Sequence, residues 1–279
     1  MAFQETAEIA ADQFRQIVER RKMKPWKGLE ETKTYNCPLC QDSGWIMEKR
    51  GEYEVAIPCK CGFLEKQALE NKLKFASIPK EFSGHTVENF RTDCYFSAEN
   101  KELAEMAKVI ARNYVDQFKE IQESGKGLYF YSSVKGSGKT RLAVSIANDI
   151  ICKHLISAKF ATTLQILDEI KSTWGDQEGA EQKLIQDIIR VPVLVIDDIG
   201  VERSKDWIEE RFYNILNGRM IQKKITIFTS NCAVEELRLD DRIVNRIQKM
   251  ALPVAFPNES VRATLARQEN SDLLARLLG

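Results

Sequence analysis

Apolar residues along this chain recur with distinct periods, and each period predicts an element type. Phe3, Ala7, Ala10, Phe14 and Ile17 fall at helical spacing and the pattern stops at Pro25, which predicts an amphipathic helix over residues 4–23. The apolar face of that helix needs a cover, either the chain's next module or another protein. Residues 35–62 change character: Trp45-Ile46-Met47, a polar turn over 48–52, then Tyr53 to Ile57, the pattern of a hairpin. A second helix, with Leu69, Leu73 and Ala76 on one side, ends at Ile78-Pro79, and a first domain is expected over residues 1–75.

From about residue 80 the pattern alternates. Helices are expected over 99–122, 139–153, 164–174, 178–189, 206–221 and 240–249, and strands over 127–132, 158–162, 192–197, 225–229 and 251–256. The run Val193-Leu194-Val195-Ile196 is apolar throughout, as a strand buried on both faces must be. Residues 76–279 therefore read as an α/β domain, a parallel sheet flanked by helices, preceded by a small helical and metal-binding module. No internal repeat or low-complexity tract interrupts it.

Composition narrows the function classes. The 279 residues allow about two folded units. Forty-one basic residues balance forty-one acidic ones, so any nucleic-acid contact must come from a local basic face, and a histone-like binder is excluded. There is no run of about 18 apolar residues, and the first twenty residues mix both charges. A cytoplasmic protein without a membrane segment is the expectation.

Seven cysteines are an odd number, and four of them lie at metal-like spacing: Cys37-x-x-Cys40, then Cys59-x-Cys61. Zinc takes four soft ligands in a tetrahedron, and a hairpin brings two such turns together without a large core. Because the second turn is tighter than usual, His85 or Cys94 is an alternative fourth ligand. Four thiolates leave no open position for a reacting water, so the site is expected to be structural. Cys94, Cys152 and Cys232 otherwise read as plain thiols.

The strand at 128–131 runs into Ser133-Val134-Lys135-Gly136-Ser137-Gly138-Lys139-Thr140-Arg141 and then a helix. In such an arrangement backbone N–H groups and the helix N-terminus surround a polyphosphate. Ser133, Lys135, Gly136, Ser137, Gly138, Lys139, Thr140 and Arg141 are the candidate nucleotide cradle. The glycines let the backbone approach the phosphates, Lys139 reaches the β and γ oxygens, and the Thr140 hydroxyl ligates Mg²⁺. Ser133 stands where the pattern begins with glycine.

Downstream, the strand ending Asp197-Asp198 supplies the acidic partners, Asp197 for Mg²⁺ and Asp198 to polarise the attacking water. Thr229-Ser230-Asn231 ends the next strand, where α/β proteins bind ligands; Asn231 either orients water or γ-phosphate or merely makes a turn. Asp241-Arg242-Ile243-Val244-Asn245-Arg246 places two arginines on one helix face, one to pair with an acid and one free to act as an arginine finger.

These motifs, with Ile78-Pro79-Lys80-Glu81-Phe82 to Phe90 ahead of them and Ser260-Val261-Arg262 behind, resemble the DnaC/DnaI-type helicase-loader branch of the AAA+ ATPases, of which the IstB transposition helpers are relatives. The four-cysteine module looks most like the DnaI type. The resemblance implies a P-loop AAA+ ATPase with ATP or ADP and Mg²⁺, and slow hydrolysis, since the family often has Asp-Glu where this chain has Asp197-Asp198. It implies Asn231 as sensor 1, Arg246 as the finger acting in trans with Arg242 as second choice, and Arg262 as the sensor 2 arginine. It also implies self-association, single-stranded DNA binding near Lys171 and Trp174, and delivery of a DnaB-type hexameric helicase held by residues 1–75. The alternatives are an ATPase helper of a transposase and a nucleotide-switched zinc adaptor without turnover.

Overall fold

The computed structural model describes residues 35–51, 53–174, 179–200 and 206–278, so the helix expected over 4–23 lies outside the described residues. The chain divides into two compact units, the first ending at Phe63 and the second beginning at Leu64. In the first, strands β1 (Trp45–Arg50) and β2 (Tyr53–Pro58) pair antiparallel, with Trp45 opposite Pro58 and Arg50 opposite Tyr53. A lone hairpin cannot bury a core of its own. Among the described residues of this unit the buried apolar side chains are Cys37, Cys40 and Cys59, with Ile46 packed on them. Among these described residues cysteine knuckles take the place of a hydrophobic core.

Helix α1 (Phe63–Phe75) was expected to close the first domain, yet Leu69 packs on the core of the second unit and the carbonyl of Ala76 accepts from Phe160 N at 2.8 Å. The division therefore comes ahead of the 75/76 boundary read from sequence. The single helix expected over 99–122 is two, α2 (Ala98–Asp116) and α3 (Phe118–Ser124). The break at Gln117 turns the chain so that Phe118 is fully buried.

Strands and helices then alternate: β3 (Gly127–Tyr131), α4 (Lys139–His154), β4 (Ala158–Thr162), α5 (Thr163–Ser172), α6 (Ala180–Arg190), β5 (Val193–Ile199), α7 (Asp206–Ile221), β6 (Ile225–Ser230), α8 (Asp241–Met250) and β7 (Ala251–Ala255). The five strands form one parallel sheet in the order β4-β5-β6-β3-β7. Along β5, Val193 and Val195 belong to one core with α2 and α4, whereas Leu194 and Ile196 belong to the other with α5, α7 and α8. Helices on both faces are the reason that strand is apolar at successive positions. A final helix, α9 (Arg262–Leu278), was not expected from the sequence; its Leu273, Leu274, Leu277 and Leu278 are exposed, so no buried apolar stripe announces it.

Strand β5 runs two residues further than expected. Its ladder with β6 pairs Ile196 with Phe228 but Ile199 with Ser230, a bulge that leaves an extra residue on β5 where Asp197 and Asp198 lie.

Candidate nucleotide site

The carboxyl ends of β3, β5 and β6 open into a cleft of about 650 Å³. Its floor is the loop from Lys135 to Arg141. One wall carries Asp197, Asp198, Thr229 and Asn231, and the other is an arm running from Glu81 to Tyr95, with Arg262 at the rim. Such a position, outside the carboxyl ends of parallel strands, is where α/β sheets take ligands.

The glycine loop has the geometry its residues dictate. Gly136 (φ 76°) and Gly138 (φ 99°) occupy the left-handed region. A Cβ on Gly136 would stand 2.8 Å from Ser260 Oγ, and one on Gly138 would stand 3.1 Å from the hydroxyl of Tyr95. Tyr95 and the residue after Ser260 hold the loop: Tyr95 donates to Ser137 O at 2.6 Å, and Val261 N donates to Gly136 O at 3.1 Å. Lys139 begins α4 and is buried, its ammonium donating to Val134 O at 3.0 Å, Ser132 O at 3.3 Å and Ser137 Oγ at 3.3 Å. Burial lowers its pKa, and the two aspartates only partly offset this. An anion arriving at the loop would relieve that cost.

Asp197 is the hub of the acidic wall. Its Oδ1 accepts from Thr140 Oγ1 at 2.7 Å and from Thr229 Oγ1 at 2.6 Å. Burial raises its pKa, countered by those two hydroxyls. A desolvated carboxylate touching the Thr140 hydroxyl is the donor set a hard cation such as Mg²⁺ takes, so the residues present fit that ion. Asp198 has φ 61°, a left-handed conformation that Asp tolerates better than most residues. Its N–H donates to Thr229 Oγ1 at 2.9 Å, and its Oδ1 accepts from Asn231 Nδ2 at 2.8 Å. Thr229 therefore receives the backbone of one aspartate while donating to the side chain of the other. Its part was not legible in the sequence, beyond its place in the polar run ending β6.

Other expected residues are placed differently. Ser133 does not line the cleft; its hydroxyl donates to Asn258 Oδ1 at 3.3 Å. Arg242 and Arg246 also lie outside the cleft lining. Arg242 is paired with Asp240 at 3.0 Å, and Arg246 donates to Asn217 Oδ1 at 3.0 Å and Tyr213 Oη at 2.7 Å. Both guanidinium groups stack on the Tyr213 ring, at 5.0 and 4.3 Å. Lys171 pairs with Asp168 at 3.2 Å and lies 5.6 Å over the Trp207 ring, which Trp174 meets edge-on at 5.0 Å. Trp174 remains half exposed. The arm from Glu81 to Tyr95 was not identified as a cleft wall, although its Ile78-Pro79 start and Phe82 to Phe90 spacing marked it as distinctive.

In the first unit the sulfurs of Cys37, Cys40, Cys59 and Cys61 all lie within 4.8 Å of one another, with Cys37–Cys59 at 3.8 Å and Cys40–Cys61 at 3.6 Å. Four sulfurs about 2.3 Å from a tetrahedral zinc are about 3.8 Å apart, so the cluster fits that ion. Cys61 completes it; His85 and Cys94, the alternatives, line the cleft of the second unit instead.

The profile of the family described as IstB-like ATP binding protein matches residues 64–268. The chain belongs to that family. It is 25% identical over 226 residues to the replicative helicase loader DnaC of Escherichia coli (strain K12), a match covering 79% of this chain and 90% of the relative. It is 27% identical over 228 residues to the replicative helicase loader DnaI of Bacillus subtilis (strain 168), covering 75% and 68%. The crystal structure of the DnaC helicase loader superposes with a TM-score of 0.56 at 28% identity, covering 64% of this chain and 99% of that one. The second unit of this IstB-like protein is accordingly a P-loop AAA+ fold, and the chain is an ATP-binding homologue of helicase loaders, in keeping with a role in the initiation of DNA replication. Among the described residues no helix is long and apolar enough to cross a membrane.

Proposed function

We propose that this protein is a cytoplasmic ATPase that binds a hexameric DnaB-type replicative helicase and delivers it onto single-stranded DNA. The observation that carries the reading is the cleft in which Lys139, Thr140 and Asp197 adjoin in a chain homologous to replicative helicase loaders. Lys139 would neutralise the β- and γ-phosphates, while Thr140 and Asp197 would hold Mg²⁺, which supplies charge neutralisation at the phosphoryl oxygens. Asp198 takes the proton of the attacking water and Asn231 orients it. Arg262 reads the nucleotide from the rim of its own subunit. Arg246, with Arg242 as second choice, serves the cleft of a neighbouring copy, because neither lines its own. Residues 1–75, with a structural zinc, dock the helicase, and Lys171 with Trp174 contribute to single-strand binding by cation and ring stacking.

The test is to mix the purified chain with candidate hexameric helicases in ATP, ADP or no nucleotide and to measure complex mass. A nucleotide-sensitive complex that disappears on deletion of residues 1–62, which leaves α1 on the core of the second unit, is expected. Absence of any such complex, with tight binding to duplex DNA and to a transposase instead, would move the protein to the transposition-helper class.

A further inference from the structure

Between β7 and α9 the chain runs through Pro257 to Val261 in neither helix nor strand, yet most of its residues are tied down. On the loop side, the Ser132 hydroxyl contacts Pro257 O at 2.8 Å and Asn258 Oδ1 at 3.0 Å, Ser133 Oγ contacts the same Oδ1 at 3.3 Å, and Val261 N donates to Gly136 O at 3.1 Å. On the opposite side, the Glu259 carboxylate sits at the N-terminus of α2. It accepts from Phe96 N at 2.8 Å and from Asn100 Nδ2 at 3.1 Å, while Asn258 N donates to Asn100 Oδ1 at 3.0 Å. An anion there is favoured by the helix dipole and by N–H groups that have no intrahelical partner. Val261 is buried with Tyr95 and Ala104, so the strap's far end is packed as well as bonded. Arg262 follows directly, its Cβ 3.2 Å from where a Cβ on Gly136 would stand.

We propose that Asn258 and Glu259 are positioning residues for Arg262, suspending it over the nucleotide between the glycine loop and the N-terminus of α2. The departure of Ser133 from glycine then acquires a use: with Ser132 it presents two hydroxyls to one amide oxygen, a tie that a glycine could not make. The inference rests on the reading of the cleft as an ATP site. Arg262 is a long, exposed side chain with many rotamers, and only its backbone can be held from behind. A strap fixed at both edges restricts where that backbone can go. If Glu259 served only as a cap for α2, its loss would lower stability and leave the chemistry alone.

Full-length wild-type, Glu259→Ala, Glu259→Gln, Asn258→Ala, Arg262→Ala and the Glu259→Ala/Arg262→Ala double variant are compared for ADP affinity by calorimetry and for ATP turnover. We expect Glu259→Ala and Asn258→Ala each to lower kcat about tenfold, as displacement of an orienting group does, with ADP affinity held within about twofold. Glu259→Gln, which keeps an oxygen for Phe96 N, restores most of the loss. On the Arg262→Ala background, Glu259→Ala adds less than about twofold, because the residues act as one unit. An equal loss from Glu259→Ala on both backgrounds, or unchanged kcat in Glu259→Ala and Asn258→Ala, overturns the proposal while leaving the ATP site intact. Arg262→Ala with wild-type kcat does the same. Wild-type protein that binds no nucleotide overturns both readings. If Glu259→Ala does not fold, Asn258→Ala carries the comparison, since it leaves the α2 cap in place.

Discussion

The side-chain amide of Asn231, just past the end of β6, donates to Oδ1 of Asp198, at the end of β5, at 2.8 Å. The bond joins the expected water-polarising acid to the expected sensor residue across two adjacent strands, and Thr229 holds the Asp198 backbone from below. Replacing Asp198 by Asn keeps a side chain able to adopt its left-handed backbone and removes only the charge. Turnover should fall at least about 100-fold while nucleotide affinity stays within a few-fold, as for loss of a general base. Asn231→Ala should cost about tenfold, the worth of one orienting hydrogen bond. Undiminished phosphate release from Asp198→Asn removes that residue from the mechanism.

Zinc should be present at one equivalent per chain and should be lost on replacement of Cys59 by Ala. Because the described residues of the first unit gather on a four-cysteine cluster, chelation should abolish its fold while ATP affinity of the second unit is kept. Metal analysis paired with hydrogen exchange over residues 35–62 reads both outcomes. Protection in this segment that survives chelation would show that the knuckles hold without the ion.

Arg219 is fully buried, and its acceptors among the described residues are all neutral: Thr226 Oγ1 at 2.9 Å, Ile188 O at 2.7 Å, Ile189 O at 3.3 Å, Val191 O at 2.9 Å and the carbonyl of Ile225. It thereby closes the C-terminal end of α6 against the start of β6. Arg219→Met leaves several carbonyls without donors and should lower unfolding free energy by about 3 kcal/mol, measured by urea denaturation. Lysine should not rescue it, since its ammonium cannot span the fan of acceptors that a planar guanidinium serves. A loss under about 1 kcal/mol would mean that the carbonyls find other partners.

Burial raises the pKa of Asp149, whose Oδ2 accepts from Val87 N at 2.9 Å, with Lys153 lowering it and Asp116 and Glu88 raising it. The sign follows from linkage. Its contribution to stability is fully present below its unfolded value of about 4 and is lost as pH rises through the higher folded value. Asp149→Asn keeps an acceptor for Val87 without the charge, so its Tm should exceed that of wild type at pH 7 and converge with it near pH 4. A wild-type Tm higher than that of Asp149→Asn at pH 7 would reverse the sign.

Arg246 should matter only between copies. Arg246→Ala is expected to leave nucleotide affinity of dilute protein unchanged and to reduce turnover of concentrated protein by at least about tenfold, in line with fingers supplied in trans. An equal loss at both concentrations would place its effect within one subunit, through Tyr213 and Asn217.

Short-range chemistry was legible in the chain itself. Glycines at 136 and 138 followed by Lys139-Thr140 encode a left-handed turn into a helix start, whose N–H groups face outward whatever surrounds them. The alternation of apolar runs set the parallel sheet, and the cysteine spacing marked the knuckles, because those features depend on backbone preference and on neighbours a few residues away. Tertiary structure decided the rest. That Thr229 bridges two aspartates some thirty positions earlier depends on β6 lying beside β5 and on the bulge between them. Glu259 meets the N-terminus of α2 across 163 positions of sequence, and Ser133 finds Asn258 across 125. Single polar side chains of this kind leave no periodic trace, and the strand order, the bulge and the paths of the connecting loops together determine which of them meet.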